Sequence, residues 1–306
     1  MSVTEDISTL RDIGWTWTRI GAHYRVSERE IMRWSLPFPG VPARAKGLSP
    51  PAVVNYVPVL VVNDTQYPHH DMALWEATCQ IAKDAEIEEI VWAGDMLDFE
   101  QLSSFKFDPH KTGKAKEDVV GFHATLRLPL LKALSLYTRP KEHWIDGNHE
   151  HRYTRFMENH AALDDPDPVS FMDLEYMHSY YPYGQRVGHY LTKELAVVHG
   201  WATGKSTAVK SHVQEMGCSV IHGHTHRVSD YRTTVGDRVL AGFEVGHMSD
   251  YRKVPGQHDK GKPDWQQVAG TLVHKARKGE SFNVDVLEVI GHDKVWANDR
   301  VYEIER

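Results

Sequence analysis

Residues 59 to 71 read VLVVNDTQYPHHD, and this stretch decides how the rest of the chain is interpreted. Its first four residues belong to an apolar run, YVPVLVVND over 56 to 64, that has the length and composition of a buried strand. The run ends at Asn63 and Asp64, and Gln66 follows two positions later. Strand ends are where an α/β sheet presents side chains to a site, so Asp64 and Gln66 are candidate site residues.

Strand and helix signals alternate after this stretch. Residues 70 to 87, HDMALWEATCQIAKDAEI, place Leu74, Ile81, Ala82 and Ala85 at helical spacing. Further strand signals each run directly into a polar residue that can bind a metal: EEIVWAGD (88 to 95), KEHWIDGN (141 to 148), LAVVHG (195 to 200) and CSVIHGH (218 to 224). The pattern predicts an α/β sheet with a site at its strand ends.

The strand ends also contain five short motifs in a fixed order: NDTQ (63 to 66), GDMLD (94 to 98), GNHE (147 to 150), VVHG (197 to 200) and GHTH (223 to 226). This order resembles the calcineurin-like metallophosphoesterases, whose pattern is D-x-H, GD-x-x-D, GNH-[DE], H and GH-x-H. The resemblance spans about residues 56 to 230 and does not cover residues 1 to 50. It implies a four-layer αββα sandwich that hydrolyses a phosphoester with two divalent metal ions.

The residue types in these motifs support a divalent-cation site, since hard and borderline cations prefer carboxylate, amide and imidazole donors. The candidate ligands are Asp64, Gln66, Asp95, Asn148, His199, His224 and His226. By resemblance, Asp95 bridges the two ions, Asp64, Gln66 and His226 complete one shell, and Asn148, His199 and His224 complete the other. The two histidines of GHTH fit this scheme because residues two apart on an extended segment point the same way.

Gln66 departs from the family, which usually has histidine at this position. Its amide oxygen can bind a hard cation directly or can hold a bound water through a hydrogen bond, and both interpretations stay open. The loss of one imidazole favours oxygen-preferring manganese or magnesium over zinc. We therefore expect two Mn²⁺ ions, with Mg²⁺, Fe²⁺, Zn²⁺ and Ni²⁺ as alternatives.

His149 resembles the family's catalytic histidine, which protonates the leaving alkoxide or stabilises charge on the phosphoryl group. By the same resemblance, Asp98 orients His149. Arg152 and Arg155 follow closely, and their guanidinium groups can bind phosphate oxygens or can be solvated on a helix face. Four histidines without a place in the pattern are expected at the surface: His69, His70, His151 and His247.

Residues 1 to 50 are predicted to form a separate small helical module that ends in a Pro/Gly-rich linker, residues 35 to 51. Its apolar residues are spaced as in two short packed helices, and the pattern resembles a helix-turn-helix. Arg29 and Arg33 are then expected on an exposed face, able to contact DNA. A helical pair used for protein contacts is the alternative. The metallophosphoesterase domain would occupy residues 51 to 306.

Composition limits the remaining choices. A chain of 306 residues with 41% hydrophobic residues can bury a large core, and a net charge of −7 argues against a surface made wholly for nucleic acid, although a local basic patch remains possible. No apolar stretch approaches the roughly 18 to 20 residues that span a bilayer. The acidic first residues and the distant Cys79 and Cys218 predict a cytoplasmic protein in a reducing compartment.

The leading hypothesis is a phosphodiesterase acting on DNA, a nuclease, because the glutamine-bearing first motif and the terminal helical module resemble virus-encoded members of the family. The resemblance implies attack on the phosphoester by a hydroxide that bridges the two metal ions. One alternative is a cyclic-nucleotide phosphodiesterase or a phosphomonoesterase. Another is a DNA-binding or adaptor protein with a vestigial metal site. The sequence leaves the polarity of cleavage and the oligomeric state open.

Overall fold

The computed structural model describes residues 55–103, 114–134, 139–160, 166–254 and 264–306, and every structural statement below refers to these residues. The helical module predicted for residues 1 to 50, with Arg29 and Arg33, lies outside them. So does the domain boundary predicted between residues 50 and 51. These three expectations therefore stay predictions.

The described strands are β1 (Tyr56–Val62), β2 (Glu89–Ala93), β3 (Lys141–Ile145), β4 (Ser179–Tyr181), β5 (His189–Thr192), β6 (Leu195–Val198), β7 (Ser219–His222), β8 (Val228–Val235), β9 (Arg238–Val245), β10 (Val268–Ala276), β11 (Phe282–Ile290), β12 (Lys294–Ala297) and β13 (Arg300–Glu303). The described helices are α1 (Met72–Asp84), α2 (Ala115–Phe122), α3 (Leu128–Leu134), α4 (His151–Asn159), α5 (Pro168–Phe171) and α6 (Ala208–Met216), with a π-helical segment at His123–Arg127 and a 3₁₀ turn at Glu100–Leu102. The five strands and the helix predicted from the motif-bearing segments are confirmed.

The strands form two sheets. The first has the order β13-β12-β11-β10-β1-β2-β3-β4, and the second has the order β5-β6-β7-β9-β8. Strands β1 to β4 run parallel, as do β6, β7 and β9, whereas β10 is antiparallel to β1. The carboxyl ends of the parallel strands therefore meet at one edge of each sheet, where loops can build a site.

Apolar side chains pack in three interfaces between sheets and helices. In β1, Val59 and Val61 face the second sheet, whereas Leu60 and Val62 pack on the helical side, as the alternation of side chains along a strand requires. Val213 of α6 packs against the outer face of the second sheet. Strand β1 is apolar throughout because both of its faces are covered. The four-layer αββα sandwich is confirmed.

Helix α1 begins directly after Asp71, whose carboxylate caps it by accepting a hydrogen bond from Leu74 N at 3.2 Å. Its buried residues include Leu74 and Ile81, so the predicted apolar face is the packed one. The residue that caps this helix is therefore Asp71. Asp64 lies earlier, in the loop that follows β1. None of the described helices combines the length and apolar composition that a bilayer crossing requires.

Candidate dinuclear metal site

The loops after five parallel strands bring all seven predicted ligands to the carboxyl edge of the two sheets. Asp64 and Gln66 follow β1, Asp95 follows β2, Asn148 follows β3, His199 follows β6, and His224 and His226 follow β7. Contacts between these side chains divide them into two groups.

Asp64, Gln66 and His226 form the first group. His226 Nε2 lies 3.2 Å from Asp64 Oδ1 and 3.5 Å from Gln66 Nε2. All three residues are buried, and Gln66 Oε1 has no hydrogen-bond partner among the described residues. A 180° rotation of the amide would exchange Gln66 Oε1 with Nε2 and so direct the oxygen toward His226. A buried oxygen without a partner is costly, and a cation at this place would remove that cost.

Asp95, Asn148, His199 and His224 form the second group. His199 Nε2 lies 3.1 Å from Asn148 Oδ1 and 3.4 Å from Asp95 Oδ2. One ligand atom each of Asp95, His199 and His224 lies within 4.8 Å of the others. The other ring nitrogen of His199, Nδ1, lies 3.1 Å from Ala93 O. A proton on Nδ1 that is donated to this carbonyl leaves the Nε2 lone pair for a metal ion.

Five of the seven candidate ligands have a left-handed backbone conformation. Their φ angles are 48° at Asp64, 47° at Gln66, 54° at Asp95, 71° at His224 and 63° at His226. Residues other than glycine seldom adopt this conformation, which costs of order 1 to 3 kcal/mol each when the surroundings impose it. Here the loops hold one another, because Gln66 N donates to Asp95 O at 2.9 Å and His224 N donates to Asp64 Oδ2 at 3.0 Å.

Two motif glycines lie against candidate ligands so closely that no side chain fits. A Cβ atom at Gly147 would lie 2.0 Å from Asp95 Oδ1 and 2.3 Å from Asp95 N. A Cβ atom at Gly223 would lie 2.1 Å from Asp64 Oδ2. The glycines of GNHE and GHTH are therefore explained by close approach of the loops to the carboxylates.

Glu150 ties the loops after β2 and β3 together behind Asp95. Its Oε2 accepts hydrogen bonds from Asp95 N at 2.9 Å and Gly147 N at 2.8 Å, and its Oε1 accepts one from Leu97 N at 2.8 Å. Burial, with the nearby charge of Asp95, raises the pKa of Glu150 to about 7. Sequence reasoning gave Glu150 no role, although its place as the fourth residue of GNHE was an available signal.

Asp95 stays ionised although it is buried. Burial alone would raise its pKa, but the charges of His149 and His199 outweigh that effect and hold the pKa of Asp95 well below its usual range. Burial also opposes a charge on His199, yet Asp95 raises the pKa of His199 to about 9. Without a metal ion, a proton on His199 balances the charge of Asp95, and a divalent cation can replace that proton.

His149 lies beside this group and is held by Asp98. Its Nδ1 is 2.9 Å from Asp98 Oδ1, and its Nε2 is 3.7 Å from Asp95 Oδ2. Burial opposes a charge on His149, but Asp95 and Asp98 together raise its pKa above the ordinary value. Arg152 donates to Asp98 O at 2.6 Å and lies 3.1 Å from His149 Nε2. His69 also reaches this carboxylate, with Nε2 at 3.6 Å from Asp98 Oδ2.

The surface position expected for His247 is wrong. Only 1% of His247 is exposed, and its ring stacks 5.2 Å from that of His226. The imidazole is tolerated there because Nδ1 pairs with Ser249 Oγ at 2.9 Å. Trp265, which no motif indicated, packs edge-on at 4.2 Å from the His226 ring.

Arg155, the other predicted phosphate ligand, is exposed on α4.

The remaining three histidines without a place in the pattern, His69, His70 and His151, are partly buried. Among them, only His69 has a contact with a predicted catalytic residue, through Asp98. His69, which no motif contains, is thus part of the site.

Fold and site together define a two-sheet α/β protein with a buried cluster of carboxylate, amide and imidazole groups at the ends of parallel strands.

No family model matches the chain. The Gene 54 protein of Mycobacterium phage D29 is 27% identical over 241 residues, which cover 70% of this chain and 88% of that protein. The Gene 54 protein of Mycobacterium phage L5 is 24% identical over 272 residues, which cover 80% of this chain and 98% of that protein.

Solved structures give weaker similarities. Vacuolar protein sorting 29 from Cryptosporidium parvum has 12% identity and a TM-score of 0.37, over 81% of this chain and 95% of that chain. Purple acid phosphatase PPD1 from yellow lupin seeds has 8% identity and a TM-score of 0.33, over 74% of this chain and 52% of that chain. At such scores the description of the fold rests on the strand order and the layers given above.

Proposed function

We propose that this protein is a metal-dependent phosphoesterase and that its substrate is a phosphodiester of DNA. The observation that carries the proposal is the meeting of seven side chains with oxygen or imidazole donors, among them the buried Asp95. One metal ion would be held by Asp64, Gln66, Asp95 and His226, and the other by Asp95, Asn148, His199 and His224. When bound, two such ions neutralise phosphoryl charge and lower the pKa of coordinated water.

The donor set fits divalent cations in its chemistry as well as its placement. Burial, with the charge of His199, lowers the pKa of His224 to about 4, so His224 is neutral at pH 7, as a ligand must be. Gln66 Oε1 is buried and unpaired among the described residues. Because carboxylate and amide oxygens outnumber imidazoles in the set, we propose manganese as the native metal.

His149 and Asp98 supply the proton chemistry of the proposal. Asp98 holds His149 Nδ1 at 2.9 Å, which leaves Nε2 beside the candidate ligands, where it can donate a proton to the leaving alkoxide. The guanidinium of Arg152 now lies 3.1 Å from Nε2. In the proposed reaction it would turn to a phosphate oxygen, which would leave Nε2 free to carry the proton. The carboxylate of Glu150 holds Asp95 in place by accepting a hydrogen bond from the backbone N–H of Asp95.

DNA as the substrate is the finer part of the proposal. Its support is the helix-turn-helix-like sequence of residues 1 to 50, with Arg29 and Arg33, and the similarity to proteins of two mycobacteriophages. That similarity agrees with the virus-encoded type of chain expected from the first motif. Arginines that contact phosphates release counterions, which makes DNA binding depend on salt.

A substrate panel with Mn²⁺ tests the reaction class. We expect hydrolysis of bis-p-nitrophenyl phosphate and of plasmid or oligonucleotide DNA. Preference for a cyclic nucleotide or for p-nitrophenyl phosphate would contradict the DNA part only. Absence of hydrolysis and of tightly bound metal with Mn²⁺, Mg²⁺, Fe²⁺, Zn²⁺ and Ni²⁺ alike would refute the phosphoesterase itself and favour a binding protein.

A salt titration tests the DNA part separately. DNA affinity is measured at several salt concentrations for the full chain, for a chain lacking residues 1 to 50, and for the doubly substituted Arg29→Ala/Arg33→Ala protein. Loss of two phosphate contacts should reduce the slope of log affinity against log salt by about 2. Hydrolysis of bis-p-nitrophenyl phosphate should stay unchanged, because the candidate ligands all follow the linker. Equal affinities and slopes in the three proteins would refute the DNA-binding module.

A further inference from the structure

Glu89, His143 and His189, here called the inter-sheet cluster, meet between the two sheets and away from the site around Asp95. Glu89 begins β2, His143 lies in β3, and His189 begins β5 of the other sheet. Glu89 is the first residue of β2, whereas Asp95 follows the end of that strand at Ala93. The four residue steps of the strand alone span about 13 Å at about 3.3 Å per residue. The cluster therefore lies at the opposite end of the strands from the candidate dinuclear site.

The three side chains of the inter-sheet cluster point their polar atoms at one place. His143 Nε2 lies 3.2 Å and His189 Nε2 lies 4.0 Å from Glu89 Oε1. The two imidazole rings stack with their centroids 3.8 Å apart, and one ligand atom of each residue lies within 4.8 Å of the other two. His189 Nε2 is buried and has no hydrogen-bond partner among the described residues. A buried nitrogen without a hydrogen bond is costly, and coordination to a metal ion would remove that cost.

Each imidazole is also held from behind by a hydroxyl group. His143 Nδ1 lies 2.7 Å from Ser179 Oγ, and His189 Nδ1 lies 3.1 Å from Tyr181 OH. When the hydroxyl accepts the Nδ1 proton, the Nε2 lone pair is free, which is how histidines that bind metals are oriented.

We infer that the inter-sheet cluster binds one zinc ion and thereby links the first sheet to the second. Two imidazoles and one carboxylate are a ligand set that zinc accepts, with a fourth position for water. The ion would lie between Glu89 Oε1 and the two Nε2 atoms, whose short separations are given above. Lys275 Nζ lies 2.5 Å from Glu89 Oε2, which leaves Oε1 for the metal. A cavity of about 440 Å³ lies beside the cluster and is lined in part by Glu89 and Lys275.

This inference does not depend on the proposed phosphoesterase activity, so its test begins from Asp95→Asn protein, in which the other site is weakened. Equilibrium dialysis against zinc chloride should show one zinc per chain fewer after a further His189→Ala change. His274→Ala is the matched control, because His274 is adjacent to Lys275 in β10 and points to the opposite face of the strand. It should leave the zinc count unchanged. Equal counts in the Asp95→Asn protein and in the folded Asp95→Asn/His189→Ala protein would overturn the inference.

Two further measurements decide the case even if His189→Ala fails to fold. Tyr181→Phe keeps all three protein ligands and removes only the hydroxyl at His189 Nδ1, so zinc affinity should fall about 10- to 100-fold. Zinc should also raise the melting temperature of the Asp95→Asn protein, since a ligand that binds only the folded state stabilises it. Unchanged zinc affinity in Tyr181→Phe, or a melting temperature that does not respond to zinc, would overturn the inference.

Discussion

Replacement of Gly147 by alanine should disable the candidate metal site by a steric route alone, without removing any ligand. The added Cβ would lie 2.3 Å from Asp95 N, whereas ordinary contacts begin near 3.4 Å, so the loop around Asp95 must move by about 1 Å. Both Asp95 N and Gly147 N donate to Glu150 Oε2, and these hydrogen bonds are distorted by the same movement. We expect a loss of about 1 to 3 kcal/mol in the free energy of unfolding, as for overpacked interiors. Turnover should fall about 100-fold, as for a misplacement of about 1 Å.

Urea unfolding, manganese content and turnover of bis-p-nitrophenyl phosphate measure the three consequences. Gly184→Ala is the matched control, because its Cβ would meet only the side chain of Val187, at 3.2 Å, and that side chain can give way. The control should keep its stability and turnover. If Gly147→Ala unfolds at the same urea concentration as the control and turns over at the same rate, the loops are not packed as closely around Asp95 as we argue.

The other predictions concern single side chains. Asp95→Asn should lower the manganese content and remove most hydrolysis, because a neutral amide cannot replace a shared carboxylate; wild-type metal content and turnover would contradict this. His149→Ala should keep its metal while turnover falls about 10²- to 10⁴-fold, and less for a p-nitrophenyl ester; loss of metal would make His149 a ligand instead. Gln66→His should raise zinc over manganese in a competition experiment, whereas an unchanged ratio would place Gln66 outside the ligand shell. Burial, with the charge of Lys253, lowers the pKa of His70 from 6.5 to about 4, so below pH 6.5 the unfolded chain binds more protons and stability falls. At pH 5 the loss should be about 1 kcal/mol, half of the full linkage value because the ring is partly exposed, and urea melts of His70→Asn should show a flatter pH dependence.

Strand ends and their polar residues could be predicted because those signals are local. The apolar run of β1 and the polar residues that follow it are adjacent in sequence, and the order of the five motifs supplied the rest. The inter-sheet cluster could not be predicted in this way. Glu89 and His143 are 54 residues apart, and they meet His189 only because the two sheets pack face to face. The error at His247 has a similar cause, since its ring is buried against that of His226, which follows a different strand.

The left-handed backbone at five candidate ligands also limits how such a site can change during evolution. Aspartate, asparagine and histidine adopt this conformation more readily than other residues with a side chain, and glycine adopts it freely. Exchanges within this small group alter the metal-binding atom while the loop keeps its path. Exchanges for β-branched residues would force the loop to rebuild. Gln66, with φ at 47°, lies outside the favoured group, whereas histidine belongs to it. An exchange of glutamine for histidine at this position would therefore keep the path of the loop while it changes the metal preference of the site.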